Sequence, residues 1–109
     1  LIARPNAWIL SSTLARGPVL PFEDQVNSTR QFMRELNRLG VTSVIDAGGG
    51  FQRYPDDYRV IAHLHEQGLM TVRVAYNLFT QKPREEFEDF TRWIGMTSPG
   101  AGDRFYRMN

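Results

Sequence analysis

The sequence contains no cysteine, and its single lysine is Lys82 among 109 residues. The absence of cysteine excludes a disulfide framework, a thiolate nucleophile and any Cys-ligated zinc or iron–sulfur site. It also fits a reducing compartment, so we expect a cytoplasmic protein. The formal net charge is only +1. A chain so nearly neutral lacks the broad electrostatic footprint of proteins that bind nucleic acid or anionic membranes, and we expect neither as a partner.

Long hydrophobic runs are missing as well. The longest unbroken apolar run is 7–10, far shorter than the ~20 residues of a membrane helix. Hydrophobic residues make up 41% and charged residues 23%, which is typical of a globular chain. The length corresponds to one domain or less. The first residue is Leu1, and 104–109 resembles the start of a strand, so we expect the sequence to be part of a longer chain.

The spacing of apolar residues predicts helices that alternate with strands. Gly40 and Gly68 stand where helices are expected to end, and Pro83 stands where one is expected to begin. The helix that begins at Pro83 is predicted to bury Phe87, Phe90, Thr91 and Ile94. The predicted elements are a helix at 6–15, a connector at 18–21, helices at 22–39, 55–67 and 83–94, and strands at 41–47, 70–77 and 104–109.

The order of these elements indicates a parallel sheet. The strands begin 29 and 34 residues apart, which leaves room for one crossover helix between each pair. The fold class is therefore α/β, either as a small open domain or as an arc of a (β/α)8 barrel, meaning a few consecutive strands with their helices. The cut-looking ends favour the arc. We expect a single partial domain over 1–109, with an N-terminal helix and connector at 1–21 and the arc at 22–109.

Three stretches carry a resemblance to a known family. They are LARGP at 14–18, GVTSVIDAGG at 40–49 and LMTVRVAYN at 69–77. In this order they resemble metal-dependent amidohydrolases of the amidohydrolase 3 type, a group that includes the N-substituted formamide deformylases. The resemblance spans about 1–94, and it implies that this chain forms about strands two to four of a TIM-type barrel.

The resemblance also implies a function for the parent protein. Such enzymes hydrolyse amide-type C–N bonds outside peptides on small-molecule substrates, with a divalent metal such as zinc. The family's metal ligands are a His-x-His on the first strand, a carboxylated Lys or Glu on the fourth, His on the fifth and sixth, and Asp on the eighth. None of these falls on a matching position here. The chain alone is therefore expected to hold no metal and to be inactive.

The triplet His63-Leu64-His65 spells a metal-binding motif but lies in a predicted helix. Histidines two apart share a face on a strand, whereas on a helix they diverge by about 200°. We therefore expect the two rings to point apart, one towards the helix flank and one to solvent.

Five residues near the strand ends are candidates for a substrate pocket or its supporting layer: Asp46, Gly48, Gly49, Arg73 and Asn77. Barrel enzymes place their chemistry at the carboxyl ends of strands, where Asp46 and Asn77 are expected. Gly48 and Gly49 follow directly and predict a turn at the mouth of the barrel. Because a buried charge needs a partner, Asp46 is expected to pair with Arg73 inside the barrel.

Two other interpretations remain open. The chain is alternatively a free-standing α/β module that binds a small molecule near 48–50, at the strand carboxyl ends. The second interpretation is an assembly-prone folding unit. An arc exposes two sheet edges, and the face carrying Val44, Val72 and Val74 is expected to be uncovered. The isolated chain is therefore expected to self-associate.

Overall fold

A computed structural model describes residue 13 and residues 16–48, 53–80 and 84–109. The predicted helix at 6–15 and the predicted helix start at Pro83 fall almost entirely outside this part of the chain. The described elements are helix α1 (Phe22–Arg38), strand β1 (Ser43–Asp46), a 3-10 helix (Asp56–Tyr58), helix α2 (Arg59–Glu66), strand β2 (Arg73–Tyr76), helix α3 (Glu86–Ile94) and strand β3 (Tyr106–Met108).

Glycine ends the first two helices, as predicted. Gly40 has a φ of 79° and Gly68 a φ of 67°, values that glycine adopts without the strain of a side chain. After α1, the N–H of Gly40 donates to Asn37 and the N–H of Val41 donates to Leu36. The equivalent pair of hydrogen bonds follows α2. These bonds occupy carbonyls that the helix leaves unpaired, and they turn the chain sharply into the next strand.

The three strands of the described sheet are parallel and lie in the order β1-β2-β3. Ser43 pairs with Arg73 and Asp46 with Tyr76, whereas Ala75 pairs with Arg107. The predicted order and direction of the strands are thereby confirmed. Asn37 also ties α1 to the sheet entrance, because its side-chain amide donates to the carbonyls of Val41 and Thr71.

The two faces of the sheet have different surroundings. The helix-covered face carries Val44, Val74 and Tyr76, and the core beneath α1 and α2 is built there. Its buried members are Met33, Val60, Leu64, Met70 and Val72. The opposite face, here named the open face, carries Ser43, Ile45, Arg73, Ala75 and Arg107. Ile45 is 67% exposed, and no described helix residue lines the cleft that crosses this face.

The prediction that Val44, Val72 and Val74 form the uncovered face is therefore wrong. Val72 is 1% exposed, and all three valines belong to or pack against the core on the helix side. The physical reason is that two amphipathic helices offer their apolar stripes to this face, and the β-branched residues supply the matching surface.

Helix α3 also differs from its prediction. Its buried residue is Trp93, whereas Phe87 and Ile94 are each 80% exposed and Phe90 is 51% exposed. Trp93 packs edge-on against Phe90, and its indole N–H has no hydrogen-bond partner among the described residues. Helix α3 thus buries Trp93 and presents the apolar side chains of Phe87 and Ile94 outward.

The outer edge of β3 is covered by residues 100–103. Gly100 donates to the carbonyl of Met108, Met108 donates to Ala101, and Asp103 donates to Tyr106. Gly102 forms an antiparallel bridge with Arg107. The expectation of two bare edges is therefore wrong for β3, since these hydrogen bonds occupy the groups that an open edge strand would present.

No helix in the described part of the chain is both long and apolar enough to cross a lipid bilayer.

Candidate functional site

The carboxyl ends of the strands bring together most of the predicted site residues. The N–H of Asn77 donates to the Asp46 carbonyl at 2.9 Å, and the side-chain amide of Asn109 donates to Oδ1 of Asn77 at 3.2 Å. Gly48 follows β1 with a φ of 77°. A Cβ on Gly48 would stand 3.0 Å from the Asn77 carbonyl oxygen. Glycine is therefore required where the β1 end passes β2. Gly49 lies outside the described residues.

Asp46 points to the helix side of the sheet. Its Oδ2 accepts the Tyr58 hydroxyl at 3.0 Å, and its Oδ1 accepts the N–H of Gly48 at 3.1 Å. Tyr58 lies in the 3-10 helix and is buried. The carboxylate thus holds the turn after β1 and the start of α2 together, which is a positioning role rather than a reactive one.

The predicted pairing of Asp46 with Arg73 is wrong. Arg73 lies on the open face at the amino end of β2, opposite Ser43, and its Nη1 reaches Ser43 Oγ at 3.4 Å. Asp46 pairs in register with Tyr76, on the other face. Side chains that alternate across a strand cannot meet through the sheet.

Four tyrosines form an aromatic column beside Asp46. Tyr76 contacts the other three, Tyr54, Tyr58 and Tyr106, with ring centroids 4.8 to 6.0 Å away. Burial raises the pKa of Tyr58 and of Tyr106, and the neighbouring Asp46 carboxylate raises that of Tyr58 further. These phenols therefore remain neutral hydrogen-bond donors at physiological pH, and neither serves as a phenolate base.

Replacing Tyr58 with phenylalanine should lower the free energy of unfolding by about 1–2 kcal/mol, because the Asp46 carboxylate loses a charge-assisted hydrogen bond. In a double-mutant cycle measured by urea unfolding, the losses in the free energy of unfolding caused by Tyr58→Phe and Asp46→Ala should not be additive. Asp46→Asn, which keeps an acceptor oxygen, should cost less than Asp46→Ala. Strictly additive losses for Tyr58→Phe and Asp46→Ala would contradict the contact.

The two histidine rings of α2 point apart, as predicted, but both contact other elements and neither points into solvent. The ring of His63 packs edge-on against Phe22 at 5.4 Å. Nε2 of His65 lies 2.9 Å from Oδ2 of Asp103. Asp103 also accepts the N–H groups of Phe105 and Tyr106. His65 and Asp103 therefore link α2 to the start of β3 and do not converge on a common ligand.

Stability at acidic pH should depend on Asp103. The hydrogen bonds from His65 and from the backbone of Phe105 and Tyr106 lower the pKa of Asp103 from 3.8 to about 2. A lowered pKa stabilises the folded state above pH 3.8, and that contribution is lost as the pH falls towards 2. The stability of the variant Asp103→Asn should therefore depend less on pH between pH 4 and 2. Circular dichroism during acid unfolding would measure this. An unchanged acid transition would contradict this role.

The chemistry available at the strand ends is binding and positioning. Asp46 accepts hydrogen bonds from two donors, and the side-chain amide of Asn109 donates to Oδ1 of Asn77. Within the described ranges, no group of three or more His, Asp or Glu residues could hold a metal ion. With His63 and His65 directed apart, the described residues do not fit a metal centre.

Two of these contacts were not predicted from the sequence: Tyr58 as the partner of Asp46, and Asn109 beside Asn77. The signal for Tyr58 was present, because the residue precedes the apolar stripe of α2 and a buried phenol requires an acceptor. The signal for Asn109 was the parallel sheet itself, since it stands in the same position after β3 as Asn77 does after β2.

Comparison with known proteins identifies a family for the chain. No protein of curated function and no solved structure matches the chain significantly. The model of the amidohydrolase family matches residues 1–109. Because the match spans the whole sequence, including the strand–turn segment that carries Asp46 and Gly48, the chain belongs to the amidohydrolase family.

Proposed function

We propose that the chain is an arc, about strands two to four, of a TIM-type barrel in a metal-dependent hydrolase. The observation that supports this best is the one-sided layering of the sheet. The strands follow one another in chain order, and α1 and α2 pack on the same face. Successive right-handed crossovers that always move in one direction place every helix on one side, which is the arrangement of a (β/α)8 barrel.

The free-standing binding module has less support. Doubly wound domains reverse direction within the sheet and carry helices on both faces, with the ligand at the reversal point. The described strands show no reversal. One feature must change for the barrel to close: residues 100–103 occupy the outer edge of β3, so a following strand would have to displace them.

The parent enzyme would hydrolyse a non-peptide C–N bond of an amide-type small molecule, similar to the substrates of N-substituted formamide deformylases. A divalent metal, which we propose to be zinc, would polarise the carbonyl and activate water. Since the described residues do not fit a metal, its ligands would come from other strands. A cytoplasmic location, inferred from the absence of cysteine, is part of the same proposal.

The predicted site residues take supporting roles in this proposal. Asp46, Gly48, Gly49 and Asn77 would shape the rim of the barrel mouth at the strand carboxyl ends. Arg73 stands at the amino end of β2, so it would lie deeper in the barrel interior. We do not propose that any of these residues takes part in the hydrolysis itself.

Metal retention by the isolated chain tests this assignment. After equilibration with zinc and extensive dialysis, the 109-residue chain should retain far less than one zinc per chain and should not hydrolyse an N-formyl amine. His63→Ala and His65→Ala should leave that background unchanged. One zinc per chain, lost in either variant, would show that α2 holds a metal and would overturn the proposal.

The flanking coding sequence tests the barrel directly. An arc of this family should be preceded by a His-x-His on a predicted strand and followed by a Lys just beyond Asn109. A gene with neither motif would contradict the proposal, whatever the zinc measurement shows.

Self-association of the isolated chain is also part of the proposal, but through other surfaces than the sequence suggested. The outer edge of β1 pairs with no described strand, and α3 exposes Phe87, Phe90 and Ile94. The open face is less suited to a symmetric contact because its arginines would meet. Light scattering at micromolar concentration should give a mass above that of the 12.6 kDa monomer, and Phe87→Ser with Ile94→Ser should reduce it. A monomer at all concentrations would contradict this.

A further inference from the structure

A cleft of about 460 Å³ crosses the open face of the sheet. Its charged residues are three arginines, Arg73, Arg104 and Arg107. Its uncharged polar side chains are those of Ser43 and Asn109. No aspartate or glutamate side chain is among the lining residues. The volume falls within the range of small-molecule sites, roughly 300–1,000 Å³. The charge of this cleft is therefore strongly positive, although the chain as a whole is almost neutral.

The sheet register places the arginines side by side on neighbouring strands. Arg107 is level with Ala75, and Arg73 stands two positions earlier on β2. With ~3.3 Å per residue along a strand and ~4.8 Å between strands, their Cα atoms lie about 8 Å apart. Two guanidinium groups at that spacing can reach a common small ligand from adjacent strands.

The guanidinium groups keep much of their hydrogen-bonding capacity available. Among the described residues, the Arg73 side chain donates a long hydrogen bond to Ser43 Oγ, at 3.4 Å. Arg104 stacks over the ring of Phe105 at 5.2 Å, which orders its side chain while leaving its N–H donors in the plane. Each guanidinium has five donors in a planar fork that matches a carboxylate.

We propose that this cleft binds a small anion with at least two carboxylate groups, held by Arg73 and Arg107 with Arg104 at the side. A single carboxylate would engage one fork, whereas two or more could engage forks on both strands. The inference goes beyond the proposed function, because it depends on the open face alone. In a closed barrel the same face would be the inner one, which side chains fill, so the inference concerns the 109-residue chain by itself.

Citrate is a suitable probe, and acetate at equal ionic strength is its control. Isothermal titration of the 109-residue chain at low salt should show one citrate per chain and much weaker binding of acetate. Arg73→Gln and Arg107→Gln should each weaken citrate binding about tenfold, as expected for the loss of one charge-assisted contact at a solvent-exposed site. Nuclear magnetic resonance should show shifts concentrated at Ser43, Ala75 and Arg107.

Arg30 and Arg34 on α1 provide the matched control. They lie on a helix surface beside Asn27 and Gln31, away from the cleft, and Arg30→Gln with Arg34→Gln removes two positive charges. This pair should leave citrate binding unchanged. Binding that falls as much in this control as in the cleft variants would reveal attraction by net charge alone and overturn the proposal. Equal affinity for citrate and acetate would overturn it as well.

Should Arg73→Gln unfold the chain, Arg73→Lys retains the charge and should still weaken binding through the loss of the fork.

Discussion

Replacing Leu64 with alanine should lower the free energy of unfolding by about 3 kcal/mol or more, within the ~2–5 kcal/mol range for buried leucines. Leu64 has no exposed surface, and it lies on α2 within the core that Met33, Val60 and Val72 complete. Truncation removes its contacts with both the sheet and α1, and rigid neighbours leave a cavity. Urea unfolding with a common slope would measure the loss.

Ile94→Ala is the control for this prediction. Ile94 is also aliphatic and helical, but 80% of its surface is exposed, so its truncation should change the stability by no more than ~0.5 kcal/mol. A loss at Ile94 equal to that at Leu64 would mean that α3 is packed against something that the described residues do not include. A negligible loss at Leu64 would contradict the core itself.

Gly102→Ala should destabilise the chain by about 3 kcal/mol, adding backbone strain of ~1–3 kcal/mol to an overpacking cost of similar size. Gly102 has a φ of 113°. Its added Cβ would overlap the Tyr106 carbonyl oxygen and approach the Cα of Arg107 to 2.7 Å. These are backbone atoms of β3 and cannot rotate away. The covering segment 100–103 should therefore separate from β3, and the exposed edge should raise aggregation during thermal unfolding.

Gly100→Ala is the matched control in the same segment. Gly100 has a φ of 83°, yet its Cβ would meet no atom within 4 Å. Gly100→Ala should therefore lose only ~1–2 kcal/mol of stability, from the strain of a side chain at positive φ. Equal losses of stability in the two variants would contradict the close approach at Gly102. The covering of β3 would then be looser than described.

Local patterns predicted the helices and strands of the described residues, to within a few residues at their ends. The helix ending at Gly40 and the β-branched strand that follows each carry their own signals, namely helical periodicity, a residue suited to positive φ and a short apolar run. The parallel order also followed from element lengths, because a strand, a helix and a second strand of this size join only through a crossover.

The pairing of Asp46 was mispredicted because alternation along one strand does not fix the register with the next. Alternation separates Arg73 from Val74, but it does not say which of them shares a face with Asp46. That choice depends on the offset that pairs Ser43 with Arg73. A shift of one residue would exchange the two sets. The predicted buried face of α3 failed for a related reason, since an apolar stripe indicates burial only if another element lies against it.

Cysteine labelling tests most directly the central claim, that helices cover one face of the sheet and leave the other open. The chain contains no cysteine, so single variants can be labelled without background. Ile45→Cys, on the open face, should react with a thiol reagent at close to the rate of an unstructured peptide. Val72→Cys, on the helix-covered face, should react only as the protein unfolds. Protection of both positions in the native protein would show that a second layer covers the sheet and would contradict the one-sided architecture.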